Sequence, residues 1–325
     1  MKDLLKKPDM LIECSSEGEG HKLWVEILIF IGVFLVINII QGVFGGIMSA
    51  IYFLSANDLG SLIGQDANIT EGVVGNINEI IANSDPVTIL MLFSTIIAII
   101  GTIIYCRFIE KRPIKTMGFR KKNALRDYLI GLVIGTVIFS VAVLICIITG
   151  TADFVGLSTG FSASIIVFFF LGYLVQGMSE EVLCRGYFMI SAARKNSLWA
   201  AVIANSVIFA LLHLLNPGIG IMPIINITLF GIFASVYMIK SGNIWGAAAI
   251  HSSWNFVQGN IFGIQVSGLG KTESIFSVTL REGGDLINGG SFGLEGGLAV
   301  TIVLVICILM ILYGDRHMSY DLLKH

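Results

Sequence analysis

Three polar clusters interrupt otherwise apolar runs, and their residue types are those of acid–base chemistry. The first reads Gly177-Met178-Ser179-Glu180-Glu181-Val182-Leu183-Cys184-Arg185-Gly186. The second is Phe209-Ala210-Leu211-Leu212-His213, and the third His251-Ser252-Ser253-Trp254-Asn255. An ionisable group at mid-bilayer costs roughly 2.5–3.5 kcal/mol on insertion scales, so each one here is a functional candidate. His21, His317 and His325 fall in the terminal segments and carry no such expectation.

Helical spacing separates the roles. Glu181 and Arg185 stand at i, i+4 with the acid first, the favoured orientation for an ion pair that neutralises both. Glu180 projects about 100° away and has no ionic partner in its own helix, which leaves its carboxylate free for chemistry. His251 and Asn255 share one helix face, as do Asn205, Phe209 and His213. For Asn205 an interhelical hydrogen bond is expected. Depth ties the clusters together. At about 1.5 Å per residue, Glu180 lies about 20 Å from the helix end near Arg194, and His213 about 22 Å from Leu198. His251 and Asn255 lie about 15–21 Å from Ser241, so three helices bring polar groups to one layer.

A buried carboxylate beside a histidine can activate water, because apolar surroundings disfavour the charged form and make it a better base. Attack on a peptide carbonyl then develops an oxyanion that needs donors already aimed at it. His251 and the Asn255 amide are candidates for that task. Two rival mechanisms use the same residues. Glu180, His213 and His251 could hold a catalytic zinc as a two-His, one-carboxylate set, although no His-Glu-x-x-His spacing occurs. Cys184, four residues after Glu180, is a conceivable nucleophile, but a free cysteine in an apolar run is expected to pack. No cofactor is expected.

These groups need helices to hold them at depth. Of the 325 residues 55% are hydrophobic and only 13% charged, against about 25% charged in soluble domains. Eight stretches have the length and composition of spans: 24–54, 87–107, 128–149, 162–190, 198–215, 222–239, 243–263 and 296–313. With both termini cytoplasmic, every Lys and Arg except Lys271, Arg281 and Arg185 falls on the cytoplasmic side. The expected fold is all-α, a polytopic membrane helix bundle of about eight transmembrane helices. Residues 1–23 are polar and mixed in charge, so no cleavable signal peptide is expected. The outer segments 55–86 and 264–295 are long, and such loops are either functional or mobile. The five cysteines form neither a disulfide framework nor a metal motif. No basic patch interleaved with aromatics suggests nucleic acid.

Glu180-Glu181-x-x-x-Arg185, Phe209-x-x-x-His213 and His251-x-x-x-Asn255, in that order on hydrophobic helices, resemble the three signature motifs of the CPBP family. That family comprises CAAX-processing and bacteriocin-processing (Abi) proteins. Arg112-Pro113 followed by Met117-Gly118-Phe119 resembles a segment that often precedes the core in bacterial members. The resemblance implies an intramembrane endopeptidase, in a bacterial plasma membrane, acting on a membrane-anchored protein or peptide. By position, Glu180 with His213 would activate water, His251 and Asn255 would stabilise the oxyanion, and Glu181 with Arg185 would order the site. The implied organisation is a cytoplasmic segment 1–23, two helices and a basic linker over 24–124, a catalytic core over 125–263, and a loop, last helix and tail over 264–325. Outside enzymology, the same chain could be a scaffold or bacteriocin-immunity protein. A proton-coupled carrier would need inverted repeats, which are not visible.

Overall fold

Apolar runs without a polar face either bury themselves or meet lipid. The computed structural model describes residues 7–55 and 84–314, and each of the eight expected runs is helical in it. Helix α1 (Asp9–Ser16) precedes α2 (Leu23–Ser55) and α3 (Asp85–Ile109), the latter interrupted at Thr95 and ending in a π-turn. Then follow α4 (Ala124–Ile148), α5 (Ala163–Ala193), α6 (Leu198–Leu211) and α7 (Ile221–Ser241). Helix α8 (Trp245–Phe256) continues as a π-turn to Ile261, and α9 (Leu298–Tyr313) comes last. Five of these, α2, α3, α4, α5 and α7, are long and apolar enough to cross a membrane. Leu35, Val36, Ile39 and Ile40 on α2, and Val133 and Val137 on α4, are exposed and would face lipid. The protein is a polytopic helical membrane bundle.

Three differences from expectation bear on the site. Helix α6 stops at Leu211, short of the expected 215, because the chain turns through Pro217 and Gly218, whose φ is +72°. Its 14 residues span about 21 Å, less than the roughly 30 Å hydrocarbon core. The all-helical expectation has one exception among the described residues, an antiparallel ribbon of β1 (Ala152–Leu157) and β2 (Phe276–Leu280), kinked between Phe154 and Gly156. The N-terminal segment, read as a polar tail, contributes α1, whose Met10, Leu11 and Cys14 are fully buried. The 55–86 segment is almost wholly outside the described residues, as are Lys2, Lys6, Arg316, His317, Lys324 and His325.

Helix α8 sits at the centre, between α4 and α5. Small residues allow the close approach, as they do in membrane bundles generally. A Cβ on Gly135 of α4 would come within 2.1 Å of Ser253 Oγ and 2.4 Å of the Ile250 carbonyl oxygen. One on Gly177 of α5 would lie 2.5 Å from Ser252 Oγ and 2.7 Å from Ser252 N.

The basic linker after α3 is fastened to the bundle by a buried arginine. Arg112 is fully buried, pairs with Glu110, and donates to Thr116 Oγ1 (3.1 Å), Ser191 Oγ (3.3 Å) and the carbonyls of Gly186 (3.2 Å) and Tyr187 (3.4 Å). Arg194 reaches Glu110 over 2.9 Å.

Segment 264–295 is folded against the bundle. Glu295 accepts from the Ser267 amide (2.8 Å), Ser267 Oγ (2.9 Å) and the Trp254 indole (3.0 Å). Asn216, beyond the short α6, donates to the Ser267 carbonyl. The loop therefore fills the space that α6 leaves open.

Candidate active site

Helix α5 is α-helical from Ala163 to Glu181 and π-helical from Val182 to Met189. Such π-segments recur at functional sites, because the wider turn re-aims side chains and frees carbonyls. Here the change begins directly after the two glutamates and contains Arg185. Arg112, at the linker, takes up two carbonyls of that wide turn.

The expected i, i+4 pair is present. Arg185 Nη1 lies 2.9 Å from Glu181 Oε1, with both side chains fully buried. The Arg185 guanidinium also stacks over Phe209, 4.4 Å from the ring centroid. Glu181 does more than neutralise Arg185, since the same oxygen is 2.8 Å from His251 Nδ1. A carboxylate held by an arginine accepts, so Nδ1 is the donor and Nε2 is left facing the site. That Nε2 lies 3.5 Å from Glu180 Oε2.

Glu180 is the more open carboxylate, its side chain 30% exposed against 0% for Glu181. It has no ionic partner on its own helix, but a neutral one is there: Gln176 donates to Glu180 Oε1 over 2.6 Å. Asn255 in turn donates to Gln176 Oε1 over 3.0 Å. A continuous path therefore runs Arg185, Glu181, His251, Glu180, Gln176, Asn255, across two helices. Glu180 Oε2 and Glu181 Oε2 are both buried without a hydrogen bond, and of the two glutamates Glu180 lines the cavity.

His213 sits beyond the end of α6, with Nδ1 2.9 Å from the Phe209 carbonyl. A carbonyl can only accept, so Nδ1 carries the hydrogen and Nε2 bears the lone pair in the neutral ring. His213 lines the same cavity as Glu180, His251 and Asn255. The histidine in contact with Glu180, however, is His251, and the Asn255 amide is engaged by Gln176. Phe209 stands between the two histidines, 5.0 Å from the His213 ring and 5.9 Å from that of His251. Asn205 donates to Ser235 Oγ on α7 (3.1 Å), an interhelical bond away from the site.

The cavity measures about 410 Å³ and combines this polar path with Met91, Leu92, Phe209, Leu212 and Phe230. Cys184 is buried on its wall. Among the described residues no group of three or more His, Cys, Asp and Glu side chains is arranged to hold a metal ion. Sequence reasoning missed Gln176 and Glu295, as well as Asn38 and Gln41, which reach the cavity from α2. The signal for Gln176 was its i, i+4 spacing to Glu180, and for Asn38 and Gln41 two amides inside an apolar run. Glu295, on a loop of no period, had none.

Residues 162–257 match the family of type II CAAX prenyl endopeptidase Rce1-like proteins. The match contains all six candidate residues, Glu180, Glu181, Arg185, His213, His251 and Asn255. No curated protein matches the chain, and no solved structure does. The segment that holds the site is thus similar to type II CAAX prenyl endopeptidase Rce1-like proteins, and it lies within an integral, multi-pass membrane protein.

Proposed function

We propose that this protein is an intramembrane endopeptidase in which Glu180 activates the attacking water. The observation that carries the reading is His251 bridging two unlike glutamates, one sealed against Arg185 and one open to the cavity. Glu180 takes a proton from water as its oxygen attacks the scissile carbonyl carbon. The C–N bond then breaks, and the proton passes from Glu180 to the leaving amine.

Glu181 and Arg185 act at one remove. They hold His251 by Nδ1, so that Nε2 stays beside Glu180. Protonated, that Nε2–H is a donor for the oxyanion, with the stabilisation supplied where the charge develops. His213 closes the cavity opposite and offers its second nitrogen there. Asn255 serves as an oxyanion donor only by exchanging Gln176 for substrate, which makes Gln176 a placeholder for the substrate carbonyl. The substrate class is a protein or peptide anchored in the membrane, and the step as written needs no metal.

Purified wild type and Glu180→Gln would be incubated with a library of membrane-anchored peptides, with and without a strong chelator. Cleavage by wild type alone, unchanged by chelator, is the expected result. Loss of cleavage with chelator would overturn the metal-free step. Cleavage that survives Glu180→Gln would overturn the role of Glu180, and no cleavage by folded wild type would favour a binding protein.

A further inference from the structure

Helix α2 lies outside the matched segment, yet it places two side-chain amides on the wall of the candidate active site. Phe34, Asn38 and Gln41 follow i, i+4, i+7 spacing, so they form one stripe, and all three line the cavity. Their neighbours Val36, Ile39, Ile40 and Val43 are exposed and apolar, as a lipid-facing helix requires. Asn38 is itself exposed and Gln41 half-buried.

Their depth matches that of Glu180. The start of α2 and the end of α5 are pinned side by side: the Leu23 amide donates to Asn196 Oδ1 (3.2 Å), and Asn196 Nδ2 donates to the His21 carbonyl. Counting from that junction at about 1.5 Å per residue, Asn38 lies about 22 Å along α2 from Leu23 and Glu180 about 24 Å back along the chain from Asn196.

Hydrogen-bonding capacity is left over at this level. Asn38 spends one N–H on the Phe34 carbonyl of its own helix (2.9 Å). Gln41 has no hydrogen bond among the described residues. An amide in an apolar surround without partners is costly. Gln41 as a whole, and the second N–H and the carbonyl oxygen of Asn38, lie at the depth of the Glu180 carboxylate and call for an occupant that satisfies them.

The peptidase reading, on which this inference rests, supplies its chemistry. A peptide bond must leave a helix before water can attack it, which exposes backbone N–H and C=O groups in a place with little water. Among the described residues no strand edge is available to pair with them, since neither β1 nor β2 lines the cavity. We propose that Asn38 and Gln41 form a backbone-recognition subsite, their amides bonding the unwound stretch of a peptide substrate opposite Glu180. Such a subsite reads main chain rather than side chain, while Met91, Leu92 and Phe230 favour apolar residues.

The test uses full-length Glu180→Gln protein as a non-cutting parent, with a palmitoylated, fluorescein-labelled apolar peptide as probe. Asn38→Leu and Gln41→Leu, which suit a membrane helix, should each weaken binding roughly five- to tenfold, without lowering the thermal midpoint. The same peptide with single backbone amides replaced by esters gives the readout that a merely structural role would not move. An ester at the contacted position should weaken binding to the parent but not to the variant lacking that contact. No binding to the parent, or equal binding by parent and double variant, would overturn the proposal. So would loss of a co-purified phospholipid in the variants with peptide binding unchanged, which would assign the amides to lipid. Amide-dependent binding without cutting by wild type keeps the subsite and sinks the peptidase reading. Cutting that the double substitution leaves unchanged does the reverse.

Discussion

The Nδ1 of His251 donates to Glu181 Oε1 over 2.8 Å, and through this bond a fully buried carboxylate on α5 fixes a ring on α8. The opposite nitrogen is thereby aimed at Glu180, 3.5 Å away. Glu181 joins the most buried part of the site to its most open part.

Removing Glu181 alone should be costly for folding. Glu181→Ala leaves Arg185 fully buried and unpaired, and breaking one side of such a pair typically costs about 3–5 kcal/mol. The double change Glu181→Leu with Arg185→Leu should recover most of that stability and still be inactive, because His251 has lost its holder. Thermal unfolding in detergent and peptide cleavage, run on the same preparations, separate the two effects. An active double variant would remove Glu181 from the site.

Gly177→Ala tests the contact that sets the distance between α5 and α8. The new methyl would meet Ser252 backbone at 2.7 Å, so the helices must part. Overpacking of this kind costs about 1–3 kcal/mol. Glu180 and Glu181 lie within about one turn of Gly177, so catalysis should fall more than stability does. Full activity with an unchanged melting temperature would show that the helices tolerate the separation.

Arg112→Lys should behave as a non-conservative change. The guanidinium serves Glu110, Thr116, Ser191 and two carbonyls of the π-segment at once, and an ammonium has no planar fork to match them. We expect a loss of about 1–3 kcal/mol from buried partners left unsatisfied, read as a lower thermal midpoint. Activity should drop with it, because the freed carbonyls sit within the turn that follows Arg185. Wild-type stability in Arg112→Lys would mean that the clamp is dispensable.

The ribbon carries a pH-dependent clasp. Arg281 hydrogen-bonds both carboxylate oxygens of Asp153 and holds that carboxyl below the usual range. A depressed folded value means that the contribution is present above the unfolded value and lost as pH falls through the folded one. The pair is exposed, so the effect is small. The difference in thermal midpoint between wild type and Asp153→Asn should be constant near neutral pH and fade below about pH 4. A difference growing towards acid would contradict the sign.

The sequence alone determined that the chain is a helical membrane protein, because apolar runs of span length have few other fates in water. It also determined the Glu181–Arg185 pair and the common depth of Glu180, His213, His251 and Asn255, since helix rise and twist are local constants. Partners contributed by different helices were beyond its reach. That His251 rather than His213 contacts Glu180, and that Gln176 occupies Asn255, depend on how α5 and α8 rotate about their axes, which the packing at Gly135 and Gly177 decides. The π-helical turn after Glu181 arises from the same tertiary demands, with Arg112 compensating its carbonyls from another segment. The loop carrying Glu295 has no periodicity to read, and its place above the short α6 follows from long-range hydrogen bonds alone.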